Sequence, residues 1–330
     1  MISGAFYALA LVQVFFASAG ACSVRVGHWN VYWRALDDAA GRRAIAKAVD
    51  AAAAAEPFDF FSVVEAAGSS AASSFPAWLE ESKTFQADGD LNYISGKSGH
   101  ETIALFYRPE TWTKVYGVTG EFESGRPYAL GLFKPNKPCN DSHALWVATA
   151  HLPHYPQTTT VPGQVFADAL ANASLSANAP IKDAPLVIVG DFNEFGECSL
   201  PPNSRCNNPW YEPTRALIEP LWSYLGNSQV ADAVPFNTTT CCTKWSQREV
   251  AGGGRFEADW RHHFDHMYFS SKHISASLPS FINYSYPGTE CADIACTGNK
   301  PEQKTYAQGS WHRGWQATFR FNLRDVHVVL

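Results

Sequence analysis

Asp191 and Asn193 stand two residues apart at the end of Leu-Val-Ile-Val-Gly-Asp-Phe-Asn-Glu-Phe, residues 186–195. Four consecutive apolar residues, mostly β-branched, read as a short strand buried on both faces, which Gly190 breaks so that the backbone turns. The carboxylate and the amide then point the same way at the mouth of a sheet. One can take a proton or orient water while the other donates hydrogen bonds to an oxyanion. Alone, such a pair is also what an Asx-rich turn after a core strand looks like. Its company in the chain argues for chemistry.

Asn30 closes one strand and Glu65 another, each directly after core-type residues. A carboxylate and an amide oxygen at neighbouring strand ends make a hard-oxygen site suited to Mg²⁺, completed by water and a substrate phosphate. His151 ends Trp-Val-Ala-Thr-Ala-His, with His154 three residues on, and Glu101 offers the carboxylate that orients a catalytic imidazole. Asp265, in His-Phe-Asp-His-Met, could serve a second imidazole, for which His266 and His312 are the two candidates.

The elements that must position these residues follow from the punctuation. Val24 to Asn30 alternates as a strand; Asp37 or Asp38 then caps an Ala-rich helix that Pro57 stops. Further strands are predicted at Phe58–Val64, Thr102–Tyr107, Tyr128–Phe133, Leu145–His151, Leu186–Val189, Asp265–Phe269 and Gln316–Leu323. Helices are predicted near Gln164–Ala177 and Thr214–Leu225. Strands outnumber helices and several are apolar throughout, which predicts two sheets packed face to face with helices outside.

Residues 1–21 form a long apolar run ending Ala19-Gly20-Ala21, the small-x-small pattern of signal cleavage, so the mature chain is expected to begin at Cys22. Of eight cysteines, Cys22 lies at that start and seven follow position 138. The close pairs Cys198/Cys206, Cys291/Cys296 and Cys241-Cys242 lack zinc-site spacing, so disulfides and an extracellular location are expected, along with glycosylation at sequons beginning Asn140, Asn172, Asn237 and Asn283. With a net charge of −6 and 25 basic residues, no polybasic tail or stripe advertises tight nucleic-acid or membrane binding; an enzyme acting transiently on a polyanion needs only a few local cations. No linker or repeat divides residues 22–330, which are expected to form one catalytic domain, a monomer with no stable membrane insertion.

Asn30 after a strand, Glu65, Arg126 in Gly-Arg-Pro-Tyr-Ala-Leu-Gly, His151, Gly190-Asp191-Phe192-Asn193, Asp265 and His312 occur in a telling order. It resembles that of the endonuclease/exonuclease/phosphatase superfamily, in particular its deoxyribonuclease I-like and cytolethal-distending-toxin-nuclease-like members. The resemblance covers nearly all of the mature chain. Its most specific pieces are the Gly-Asp-Phe-Asn turn and Glu101 to Pro109. It implies an α+β fold, a four-layer α/β/β/α sandwich with two packed, mostly antiparallel sheets. It further implies that Glu65 and Asn30 hold the divalent metal: Mg²⁺, with Mn²⁺ or Ca²⁺ as alternatives. His151 oriented by Glu101, and His312 oriented by Asp265, would flank the scissile phosphate as acid and base. Asp191 would position or activate the attacking water, and Asn193 with Arg126 would bind phosphate oxygens. The implied activity is secreted, metal-dependent phosphodiester hydrolysis, with DNA as the leading substrate.

One position departs from the family pattern. Its usual Ser-Asp-His reads Ser310-Trp311-His312 here, and an indole, whose only polar group is a donor, cannot ligate Mg²⁺. Glu65, Asn30, water and substrate would then suffice, or Glu194 or Asp259 would move in. Two alternatives follow from the resemblance: a sphingomyelinase-like lipid phosphodiesterase, with Phe281 to Tyr286 as an interfacial loop or a core strand edge, and a non-catalytic extracellular binding protein on the same scaffold.

Overall fold

The computed structural model describes residues 23–31, 36, 39–66, 82, 84, 93–96, 102–137, 144–153, 159–193, 214–226, 230–234, 265–282 and 314–322. The chain begins with β1 (Ser23–Asn30), α1 (Ala39–Ala55) and β2 (Phe60–Val64). There follow β3 (Tyr93–Gly96), β4 (Ile103–Tyr107), β5 (Trp112–Glu121), β6 (Pro127–Pro135) and β7 (Leu145–His151). Helix α2 (Pro162–Ser176) and a 3₁₀ turn (Ile181–Asp183) lead to β8 (Leu186–Asp191) and helix α3 (Thr214–Leu225). The last strands are β9 (Val230–Asp232), β10 (Asp265–Ser270), β11 (Ile274–Ala276), β12 (Ser280–Phe281) and β13 (Trp315–Phe321).

These strands form two sheets. The first runs β11-β13-β1-β2-β4-β3, with β12 on β13, and the second runs β5-β6-β7-β8-β10-β9. Each contains one parallel pair, β1/β2 and β7/β8, and is otherwise antiparallel. Both parallel pairs are joined through a helix, as a parallel connection requires. The carboxyl ends of β1 and β2, and of β7 and β8, are where a βαβ unit presents its functional residues.

Three apolar layers hold the sandwich together. Between the sheets lie Val24, Val26, Phe60, Leu105, Phe133, Val147, Val189, Met267 and Phe319. Outside the first sheet, Ile45, Ala48 and Val49 of α1 pack on Trp29, Phe61, Val63 and Phe106. Outside the second, Phe166 and Leu170 of α2 and Leu221 and Leu225 of α3 cover Leu132, Trp146, Ile188 and Tyr268. The order is therefore helix, sheet, sheet, helix: the expected four-layer α+β sandwich with mostly antiparallel sheets. Buried Arg25 anchors β1 laterally. Its Nη2 donates to the Ala52 carbonyl of α1 and to Gln316 of β13, and its guanidinium lies 4.2 Å from the centre of the Phe58 ring.

Two expectations need correcting. The strand at 186 does not break at Gly190; it runs through to Asp191. Gly190 is needed inside it, because a Cβ there would sit 2.1 Å from the Ala150 carbonyl oxygen on β7. The turn comes at Asn193, whose φ of 51° is left-handed. Strands β3, β5, β9 and β11 were not expected. Of these β5 is the longest, a sheet edge whose face alternates between exposed and half-buried and so carries little apolar signal. Phe281, the last residue of β12, packs half-buried against the core between the sheets, and Ile282 just after it is buried in the layer outside the first sheet, which favours the strand-edge alternative; residues 283–286 lie outside the described residues. The capping aspartates Asp37 and Asp38 and all eight cysteines lie outside them too. So do the sequon asparagines except Asn172, which is exposed on α2. Among the described residues no helix is long and apolar enough to cross a membrane.

Candidate active site

Strand register brings the polar ends together. In β1/β2, Asn30 lies beside Val64, so Glu65 follows immediately at the same edge. Glu65 has φ 54°, a backbone that an L residue adopts at a cost and that is found where the fold holds it in place. In β7/β8, His151 lies beside Asp191, and in β8/β10 Asp191 lies opposite Asp265. Side chains at matched register share a face. His151, Asp191 and Asp265 thus all look toward the first sheet.

Asn30 bridges the two carboxylates. Its Nδ2 donates to Glu65 Oε1 at 3.0 Å and to Asp191 Oδ2 at 2.8 Å. His151 Nε2 stands 3.6 Å from Asp191 Oδ2 and 3.9 Å from Glu65 Oε1. These are ionic separations too long for hydrogen bonds. The backbone N–H of Asn193 donates to Asp191 Oδ1 at 2.9 Å and so locks the carboxylate from its other side. The Asn193 side chain and Arg126 converge on one acceptor, donating to the Leu152 carbonyl at 2.8 Å and 2.7 Å. Arg126 is thereby tied to the backbone of the residue that follows His151. Asn30, His151 and Asp191 are almost fully buried, whereas the Glu65 side chain keeps some exposure.

One donor atom each from Glu65, His151 and Asp191 lies within 4.8 Å of the others. Neighbouring ligands around an ion at ~2.1 Å are about 3 Å apart, so this group can close on one cation with small adjustments. Two carboxylates supply the hard oxygens that Mg²⁺ prefers, and the imidazole also admits Mn²⁺. The donor set fits a divalent metal.

Asp265 is fully buried beside this group, across from Asp191, with Oδ1 3.2 Å from His28 Nε2. Sequence reasoning passed over His28. The available signal was its position two residues before Asn30 on the same strand, hence on the same face. His266, one of the two candidates for the second imidazole, belongs elsewhere. Alternation along β10 turns it to the helix-covered face, where its Nδ1 is 2.6 Å from Asp232 Oδ2 and its ring stacks on Tyr268 at 4.9 Å. The remaining expected residues, Glu101 and His312, lie outside the described residues, as do His154, Glu194, Asp259 and Trp311.

No family model matches the sequence, and no curated protein matches it. Solved structures do match the fold. An endonuclease/exonuclease/phosphatase family protein from Bacteroides thetaiotaomicron superposes with a TM-score of 0.54 at 13% identity, over 92% of this chain and 100% of its own. A mannosyl-6-phosphatase from the same organism gives 0.52 at 15% identity, over 90% and 100%. The catalytic domain of human Nocturnin, with bound sulfate, gives 0.51 at 15% identity, over 91% and 95%. With two sheets back to back, helices outside each, and polar residues gathered at the carboxyl ends of both parallel pairs, this chain has the endonuclease/exonuclease/phosphatase fold.

Proposed function

We propose that the chain is a divalent-metal-dependent phosphodiesterase, and specifically a deoxyribonuclease-like endonuclease acting in the extracellular space. The observation that carries the reading is the convergence of Asn30, Glu65, His151 and Asp191 from four strand ends of two sheets, with two carboxylates spanned by one amide. A bound cation supplies neutralisation of the charge that builds on phosphate oxygens during displacement. Asp191, an acceptor when ionised and held on both oxygens, orients the attacking water. Water oxygen bonds to phosphorus as the bond to the leaving oxygen breaks on the opposite side. With the cation held by Glu65 and Asp191, His151 Nε2, which faces both carboxylates, is left to carry the proton on one flank; His312, with Asp265 as its assigned partner, is given the other. Arg126 and the amide of Asn193, already side by side at Leu152, bind phosphate oxygens by charge-assisted hydrogen bonds.

The test is nicking of supercoiled plasmid by residues 22–330 in Mg²⁺ and in EDTA, with His151→Ala and His312→Ala as controls. Nicking is expected only with metal. It should fall by about 100-fold or more in either variant, the usual scale for a general acid or base. No nicking by folded protein would exclude the nuclease reading, and cleavage of sphingomyelin vesicles instead would move the substrate to lipid.

A further inference from the structure

A second layer of polar side chains lies beneath the first. Alternation places His28 under Asn30 on β1 and Thr149 under His151 on β7. Ser62 is the register partner of His28 on β2, and Asp265 is the register partner of Asp191 across β8/β10. All four side chains are fully buried between the sheets. His28 Nε2 is 3.2 Å from Asp265 Oδ1, and His28 Nδ1 is 3.1 Å from Ser62 Oγ, which is in turn 2.5 Å from Thr149 Oγ1. The chain of contacts crosses from one sheet to the other and back.

Chemistry orders this network. A carboxylate only accepts, so the imidazole directs an N–H from Nε2 to Asp265. In the neutral ring Nδ1 then accepts from the Ser62 hydroxyl, and Ser62 accepts from Thr149. A buried ring linked at both nitrogens has one orientation, and so has the carboxylate it holds.

We infer that His28 is a positioning residue for phosphodiester cleavage, an inference that rests on the function proposed above. It fixes the Asp265 carboxylate on β10 as Asn30 fixes Asp191 on β8. Through two side chains on one face, β1 grips two adjacent carboxylates of the opposite sheet. Asp265 is a partner for a proton-bearing group only while its oxygens keep one orientation, and displacement of such a group by about 1 Å costs on the order of 100-fold in rate. The orienting group therefore sits in the other sheet, so the relative placement of the sheets is written into the site.

Three variants of the full chain separate positioning from packing. His28→Gln keeps a donor near the Nε2 position, His28→Asn reaches only toward Ser62, and His28→Leu removes both contacts. Steady-state Mg²⁺-dependent nicking should show kcat about 100-fold down for Leu and Asn, with KM within about 3-fold of wild type. Gln should recover to within about 10-fold of wild type. A merely structural role would lower the melting temperature without this split. Folded His28→Leu with wild-type kcat overturns the inference. If His28→Leu does not melt cooperatively, the Gln and Asn variants decide, and equal kcat in the two overturns it. A wild-type chain that cleaves no phosphodiester removes the proposed function and this inference together, a result distinct from the other two.

Discussion

Asn30 separates two carboxylates that would otherwise repel across the gap between the sheets. One amide group shares its hydrogens between Glu65 and Asp191, at 3.0 Å and 2.8 Å, so each carboxylate has a donor even without a cation. The arrangement is stable but charge-rich, and a bound ion should stabilise it further. At a concentration 100 times its dissociation constant, Mg²⁺ is expected to add about 2.7 kcal/mol and raise the melting temperature by roughly 5 °C over the EDTA value. Glu65→Gln keeps an acceptor for Asn30 and removes one charge. It should melt at or above wild type in EDTA and lose most of the Mg²⁺ shift, which differential scanning fluorimetry would read directly. A full shift in Glu65→Gln would take Glu65 out of the ligand set. Asn193 shows the same economy: its left-handed φ and its side-chain bond to Leu152 each use a property that Asn has and most residues lack, and that backbone turn is what presents its N–H to Asp191.

At the scale of elements, the two parallel pairs do the positioning. Units β1-α1-β2 and β7-α2-β8 each bring two strand ends side by side, and the sandwich sets one pair over the other. The tightest point is Gly190, where β8 passes the Ala150 carbonyl with no room for a Cβ. Gly190→Ala must push β8 from β7 just before Asp191. We expect a loss of about 3 kcal/mol in urea unfolding, at the upper end for overpacking, together with loss of the Mg²⁺ shift. A variant that kept both would show that β8 can move without disturbing Asp191. The strands that bear the site were legible in the sequence because they are buried on both faces and mostly apolar, with β1 also showing alternation, before a polar residue at or just after the end. Strand β5 was not, because as a sheet edge it buries too little for periodicity to show.

Across the whole molecule, the site is assembled from residues far apart in the chain. Asn30 and Asp191 are 161 residues apart, and His28 and Asp265 are 237 apart. Such a site exists only when both sheets close on their common core. We also propose that the chain enters the secretory route and is held by disulfides in its later half. N-terminal sequencing of protein secreted from a eukaryotic host should then read from Cys22, and reductant should lower the melting temperature by several degrees. An N-terminus at Met1, or indifference to reductant, would overturn the respective part. By itself the sequence determined the sandwich class and the polar residue that ends each central strand, because alternation, apolar runs and turn residues are local properties of the chain. Only the tertiary structure decided the partnerships: that Asn30 bridges Glu65 and Asp191, that Asp265 is held by His28, and that His266 turns to the opposite face toward Asp232. Those depend on strand order, register and the facing of two sheets, and local patterning along one strand carries no information about which distant strand will lie across from it.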